Sequence, residues 1–538
     1  MTASIRTTLA SAAAAAAACL TFAASAQPPA PAATPAIHAK PTKRLVVRNA
    51  MVIYGNAKPP YGPMDIVADN GIITSITPSE RRTSVSTVRA AGATGMNEEV
   101  VIDAAGKYVM PGIVNAHMHW HEERQPGMPQ AIQYERNLYL AAGVTTAREV
   151  GGDFDKSKRW QAESGAHTIV APRILVYPFV SKGRTGAPAE IRAWIRDIKQ
   201  RGADGLKIIG GWDRDQLDAA LAEAHALKLP VAAHIAVDET NAKDYAELGV
   251  TSIEHFYGVG DAALTGIQDF PADMNLSNEV HRFGRAGELY AQADPGKLHK
   301  VIDLMIERRV AWDPTFSIYE ASRDLTRAQN LPWFRDYLHP SLEQYFKASA
   351  ENHGSYFFGW TSTQEANWRR QYRIWMDAVR EFANKGGLVT TGDDAGYIYS
   401  MYGFGISREL ELHEEAGFHP LEVIEHATWN GARLLGMEDR LGKIREGFIA
   451  DMLVVNGNPL ENLRLLNPYG TDVMLLNGRP VSNYAPIAAG DRVQNVHGGG
   501  IEWTIKDGIP YHVPTLMKEV KEMVAKARVE RRTSTAAQ

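Results

Sequence analysis

In the run NAHMHWH at residues 115 to 121, His117 and His119 stand two residues apart. On an extended backbone such residues point to the same side, so both imidazoles can reach one metal ion. Four more apolar runs end in residues of metal-binding type. GADGLKII carries Lys207, LPVAAHIA carries His234, VTSIEHFYG carries His255, and VTTGDDAG carries Asp393 and Asp394. Imidazole nitrogens and carboxylate oxygens are ligands that zinc takes from proteins. Each residue alone has an ordinary structural explanation: a solvent-facing pair of histidines, a salt-bridged lysine, a hydrogen-bonded core histidine. The lysine is the least comfortable of these, because an ammonium inside an apolar strand is desolvated with no partner in view. Modification or a nearby metal removes that penalty. Five strand ends carrying such residues together point to one metal-binding rim.

The elements that position them follow a regular order. From residue 110 to 436, helix-like stretches alternate with short apolar β runs, the texture of parallel βα units. LAAGVTTARE, LKLPVAAHI, AELGVTSIEH, ERRVAWDPT and NKGGLVTTGDD each pass from a helix end into a strand, where glycine is expected to supply a left-handed cap. Candidate strands fall at 111–117, 144–149, 172–178, 204–209, 230–235, 251–256, 309–315 and 387–393. Eight strands make a (β/α)8 TIM-type barrel, whose active sites lie at the C-terminal strand ends. The segments 257–308 and 317–385 are long and aromatic-rich and read as helical insertions roofing the open end, where loops set substrate choice.

Residues 44–109 and 437–512 hold short β runs ending in turn signals, such as RLVVRNAMVIYGNA, FIADMLVVNGNPLEN and VMLLNGRPV. They predict a small β-sandwich-like domain formed from both chain ends. In 513–538, a C-terminal helix and tail, Leu516, Val520, Met523 and Val524 have the spacing of a packing helix. Residues 1–26 read as a signal peptide: one charge at Arg6, an alanine-rich apolar run, then Ala24-Ser25-Ala26, with cleavage before Gln27. Residues 27–43, with five prolines among small residues, read as an extended linker. The expected location is therefore periplasmic or secreted, with no stable membrane insertion after cleavage. The one cysteine, Cys19, lies in the leader, so the mature chain has no nucleophilic thiol or disulfide. A length of 538 residues has room for a barrel of about 250 residues and an accessory domain. A formal charge of -5 gives no footprint for nucleic acid or an anionic membrane, leaving a small molecule or peptide as partner.

Taken together, PGIVNAHMH, the strand-four lysine, the two single histidines, GDDAG and the closing IREGFIADMLVVNGNPL resemble the amidohydrolase superfamily, specifically its imidazolonepropionase and prolidase-like branch. The resemblance runs over most of the mature chain. It implies that His117, His119 and Asp394 hold one divalent metal, that His234 and His255 hold a second, and that a carboxylated Lys207 bridges them. Members without the modified lysine work with one metal, so one or two ions are implied, zinc foremost. Where the family shows Gly-Thr-Asp, this chain has Gly392-Asp393-Asp394. Alignment on the glycine selects Asp394, with Asp393 as the alternative.

Such a centre lowers the pKa of bound water from about 15.7 toward about 7, supplying hydroxide to a polarised carbonyl. Asp394 would carry the proton to the departing nitrogen or oxygen. The expected activity is hydrolysis of a C–N amide bond in a small peptide or acyl-amino compound. An esterase or lactonase would use the same site, a deaminase would want an acidic helper near strand five, and a non-catalytic binding barrel would lack ligands. Tyr257 is a candidate donor to a developing oxyanion on the substrate. His121 is expected at the rim as a hydrogen-bonding residue. Arg148 and Glu149 pair structurally with each other's neighbours or hold a substrate carboxylate, and His225 and His426 are structural. Relatives often assemble, so a homo-oligomer is compatible with the resemblance.

Overall fold

The computed structural model describes residues 33–79, 99–180, 186–237, 239–265, 271–275, 278, 280–349, 354–481, 485–498 and 500–537. The leader expected at 1–26 lies outside the described residues. Parallel strands run Ile113–Met118, Val144–Val150 and Arg173–Tyr177 in one sheet, and Leu206–Gly210, Val231–Ile235, Ser252–Glu254 and Ala311–Asp313 in another. Their residues are almost all buried and rich in Val, Ile and Ala, as expected of strands covered on both faces.

Hydrogen bonds link the two sheets where Lys207 N donates to Pro178 O and Val180 N to Lys207 O, both at 2.9 Å. The eighth segment is a single bridge, Trp312 to Val389, rather than the seven-residue strand expected at 387–393. It still lies between its neighbours: Thr390 N donates to Trp312 O at 3.0 Å, and Ala116 N donates to Thr391 O at 2.9 Å. This is the strand order of a TIM-type barrel, with helices such as Ile132–Ala141, Phe154–Gly165, Pro188–Gln200 and Arg214–Ala226 between the strands.

Glycine caps three of the expected joints: Gly143 and Gly249, both at φ 82, and Gly386 at φ 91. In the joints without glycine the left-handed turn falls on Lys228 at φ 53 and Arg309 at φ 56. The turn is demanded by the helix-to-strand geometry, and a long exposed side chain can occupy it when packing on either side is strong.

The insertions are shorter than expected. Pro295–Glu307 and Ser362–Asn384 are regular barrel helices that lead into strands seven and eight, burying Leu298, Val301, Ile302 and Met305 in one and Trp368, Tyr372, Trp375 and Phe382 in the other. The aromatic residues that suggested a lid over 317–385 partly belong to that inward helix face. The true insertions are the short helices between Val259 and Gln292, and between Phe316 and Tyr345.

An eight-stranded sheet joins both chain ends, with Arg44–Val52 pairing Tyr61–Asp69 and Tyr108–Pro111, and Tyr108–Pro111 pairing Met452–Asn456. Its core includes Val47, Val52, Ile66, Val109, Met452, Val454 and Ile505. VMLLNGRPV does not join this sheet. Thr471–Leu476 pairs instead with Arg479–Pro480 and Val493–Gly498 in a separate three-stranded sheet. That sheet contributes none of the described residues in the core of the first, so a facing sandwich partner is not formed.

The expected linker is not wholly extended. Residues 36–39 form a turn, Ala39 N donates to Pro510 O at 2.8 Å, and His512 N donates to His38 Nδ1 at 2.9 Å. The helix Val513–Ala537 buries Leu516, Val520 and Val524 and packs on Ile132–Ala141, with Asn137 Nδ2 donating to Glu519 Oε2 at 2.8 Å. None of the described helices is long and apolar enough to cross a membrane.

Candidate metal centre

His117 ends the first barrel strand and is buried. Its Nδ1 lies 2.7 Å from Glu254 Oε2, and its Nε2 lies 3.7 Å from Asp394 Oδ1. His119, one turn of the pleat further on, places Nε2 3.0 Å from the same oxygen. The period-two geometry thus turns both rings to one carboxylate. Asp394 reaches them because the chain bends back after the eighth segment: its φ is 44, and its N donates to His117 O at 2.9 Å. Gly392 permits that approach, since a Cβ there would meet His117 Cβ at 2.4 Å.

His255 follows the sixth strand at φ 64 and sets Nε2 3.7 Å from Asp394 Oδ2. Left-handed backbone at non-glycine residues is concentrated where function over-determines it, and here His255, Thr315 and Asp394 share it at three neighbouring strand ends. One donor atom from each of His117, His255 and Asp394 lies within 4.8 Å of the others. Two ligands each about 2.1 Å from a zinc at tetrahedral angle stand about 3.4 Å apart. The observed 3.0 and 3.7 Å separations bracket that spacing.

His234 closes the set from strand five, its ring centre 4.5 Å from that of His255. Lys207, on strand four, is buried, and its Nζ has no hydrogen-bond partner among the described residues. His117, His119, Lys207, His234 and Asp394 all line one cavity, together with Phe283, Ile318 and Tyr319. Burial holds His117 and His255 well below the usual imidazole value, with the Lys207 charge adding to it in both. Both rings are neutral and can offer a lone pair. Burial also pushes Lys207 down to about 8, against the pull of Glu254 and Asp394. Neutral imidazole nitrogens, a carboxylate, and buried Nζ and His255 Nε2 atoms without partners make a donor set that fits a divalent cation.

Asp393, the alternative ligand, points away from this group. Its Oδ1 accepts from Asn115 Nδ2 at 2.8 Å, and burial pushes its carboxyl up to about 8. Consecutive residues in the bent segment face opposite sides, so only one of the pair can join the histidines. Tyr257 is not among the residues lining the cavity. Its hydroxyl donates to Phe283 O at 3.0 Å, while its ring stacks on His234 at 5.8 Å. It braces the His234 ring, because two residues past His255 the chain has already turned into the insertion.

His121 is hydrogen-bonded at the rim as expected, Nε2 3.2 Å from Tyr397 Oη and Nδ1 2.9 Å from Tyr402 Oη. Arg148 pairs structurally: its Nη2 donates to both oxygens of Glu254 at 2.9 Å. Glu149 accepts from Gly152 N. His225 Nε2 meets Gly249 O at 2.7 Å, and His426 meets His413 Nδ1 to Nδ1 at 3.1 Å, both structural contacts.

Sequence reading missed Glu254 and Thr315. Burial would raise Glu254, but Arg148 and then Lys207 hold its carboxyl below the usual value. The signal was present in Ser-Ile-Glu-His: Ser252 and Glu254 share one strand face, and a carboxylate inside an apolar strand needs a partner. Thr315 gave no comparable signal.

Fold and site define a barrel protein with a histidine- and aspartate-lined centre at its C-terminal strand ends. Residues 108 to 481 match the amidohydrolase family, and the chain belongs to that family. Among solved structures it is similar in fold to bottromycin amidohydrolase, with a TM-score of 0.60, 16% identity, and coverage of 91% of this chain and 92% of that one. It is similar also to a putative prolidase from Bifidobacterium longum, with a TM-score of 0.58, 21% identity, and coverage of 89% and 99%. A dihydroorotase from Thermoanaerobacter sp. (strain X514) is 34% identical over 105 residues, which span 19% of this chain and only 20% of that relative's length.

Proposed function

We propose that the chain is an exported, divalent-metal-dependent amidohydrolase that cleaves a C–N amide bond in a small peptide or acyl-amino compound. The observation that carries the reading is the convergence of His117, His119 and His255 on the two oxygens of Asp394, beside the cavity that His117, His119 and Asp394 line. Membership of the amidohydrolase family supports it, and so does the likeness in fold to a prolidase and to bottromycin amidohydrolase. Export rests on the composition of residues 1–26.

His117, His119 and Asp394 would hold one ion, His234 and His255 a second, and Lys207, as its carbamate, would join the two. Zinc suits the nitrogen and oxygen donors best. When bound, the cation supplies Lewis acidity that polarises a carbonyl and acidifies water. The remaining work falls to the chain. Asp394, facing the cavity, is the base that takes the proton of the attacking water and returns it to the departing nitrogen, giving a carboxylic acid and an amine. The neutral histidines keep their lone pairs because they are buried. Phe179, Phe283, Ile318 and Tyr319 shield the reacting group from bulk water, which strengthens every electrostatic contact inside.

The test is metal analysis of the mature protein beside a parallel panel of dipeptides, N-acyl amino acids, esters and lactones. Amide turnover that tracks metal content is the expected result. Preference for esters or lactones moves the assignment to the esterase alternative, and a protein that neither retains metal nor turns anything over is a binding barrel. Recovery from the periplasm with Gln27 at the N-terminus checks export.

A further inference from the structure

The buried pair of Arg148 and Glu254 takes part in no step above, yet it is built with care around one ring nitrogen. Arg148 Nη2 donates to both Glu254 oxygens at 2.9 Å, Ser252 Oγ donates to Oε1, Arg148 Nη1 donates to Ser252 Oγ at 3.0 Å, and Arg148 Nε donates to the Ala116 carbonyl. A carboxylate gripped in this way is an acceptor only. Its Oε2 lies 2.7 Å from His117 Nδ1, so that nitrogen must carry the proton. The lone pair is then left on Nε2, which faces Asp394.

His255 reaches the same state by a different partner. Thr315 Oγ1 donates to Pro314 O at 2.7 Å, so it accepts from His255 Nδ1, with which it is in contact. His255 Nε2 has no hydrogen-bond partner among the described residues and lies 3.7 Å from Asp394 Oδ2. Two histidines from different strands, held by unrelated groups, thus present the same bare nitrogen to one carboxylate. A ring with no fixed partner divides between tautomers and orientations, and only a part of that population can bind an ion.

We propose that Arg148, Glu254 and Thr315 are positioning residues that preset His117 and His255 as Nε2 donors, so that the cation site is formed before an ion arrives. The inference rests on the metal-centre reading. Glu254 is adjacent in sequence to His255 and bonded across the barrel to His117, and Arg148 ties it to the strand that carries His117. The network therefore fixes two ligands of the centre relative to each other as well as their protons.

The test uses full-length mature protein, metal-free, with ring-15N-labelled histidines assigned through His117→Asn and His255→Asn. Both rings are expected to show Nδ1 protonated and Nε2 bare. A paired Arg148→Met, Glu254→Met variant removes the acceptor without leaving a buried charge unpaired. It should mix the tautomers of His117, leave those of His255 unchanged, and weaken zinc binding roughly 10- to 100-fold in competition with a chromogenic chelator. Thr315→Ala should do the converse for His255, and it decides the matter if the paired variant does not fold. An Nε2-protonated ring in the wild type overturns the inference, as do variants that bind zinc as tightly as the wild type. A wild-type protein that takes up no zinc overturns the metal-centre reading and this inference with it.

Discussion

His119 Nε2 lies 3.0 Å from Asp394 Oδ1, within the group that carries the proposed chemistry. That carboxylate oxygen also faces His117 Nε2 at 3.7 Å, so one atom meets both histidines of the His-x-His pair. Replacing Asp394 with Asn keeps its shape and removes its basicity. We expect Asp394→Asn to fold normally and to lose about 10²- to 10⁴-fold in kcat, the usual weight of a general base. Asp393→Asn, whose side chain faces Asn115, should retain far more activity. Parallel rate measurements on the two variants check the assignment.

Chelation should abolish activity, and added zinc should restore it. Binding to the folded state alone stabilises a protein by about 2.7 kcal/mol when free ligand is a hundredfold above Kd. Thermal melts of the metal-free protein should accordingly rise on zinc addition. In Lys207→Ala the proposed bridging ligand is lost from the cavity wall, and the metal content should fall from two equivalents to one or fewer. An unchanged ratio means that Lys207 joins no ions.

Gly392 is a steric prediction. A methyl group there would meet His117 Cβ at 2.4 Å and His117 N at 2.8 Å, atoms of a strand that cannot retreat. Gly392→Ala should cost about 1–3 kcal/mol, as overpacking does. It should also weaken zinc binding, because the displaced residue is a proposed ligand. A melt together with a zinc titration separates the two effects. Unaltered stability would mean that the first and eighth segments are not in contact as described.

Most of the barrel was legible because its strands are short apolar runs that end in polar residues of metal-binding type. Asp394 over Asp393 was legible only by alignment on Gly392, and the backbone bend that decides it leaves no mark on composition. The insertion limits were misjudged since an aromatic helix face looks alike whether it turns inward, as Trp368 and Trp375 do, or covers an opening. VMLLNGRPV has the pattern of any sheet strand, and pattern cannot say which sheet it joins. Glu254 was overlooked because its role depends on Arg148, 106 residues away, and a pairing across the barrel has no local signature.

Glu149 offers a test of the buried charges that is independent of the metal. Burial pushes its carboxyl up to about 8, with the hydrogen bond from Gly152 N opposing. In the unfolded chain the group ionises near the ordinary glutamate value of about 4.3. The folded state thus keeps a proton that the unfolded state has lost, and stability, fully present below about pH 4.3, declines as pH rises toward about 8. The slope is about 1.4 kcal/mol per pH unit for one such group. Glu149→Gln has the same shape and no proton to lose. It should therefore be the more stable protein at pH 8 and lose its advantage by pH 4. Denaturant titrations of both proteins across that range check it, and parallel curves would show that Glu149 is ionised in its folded position.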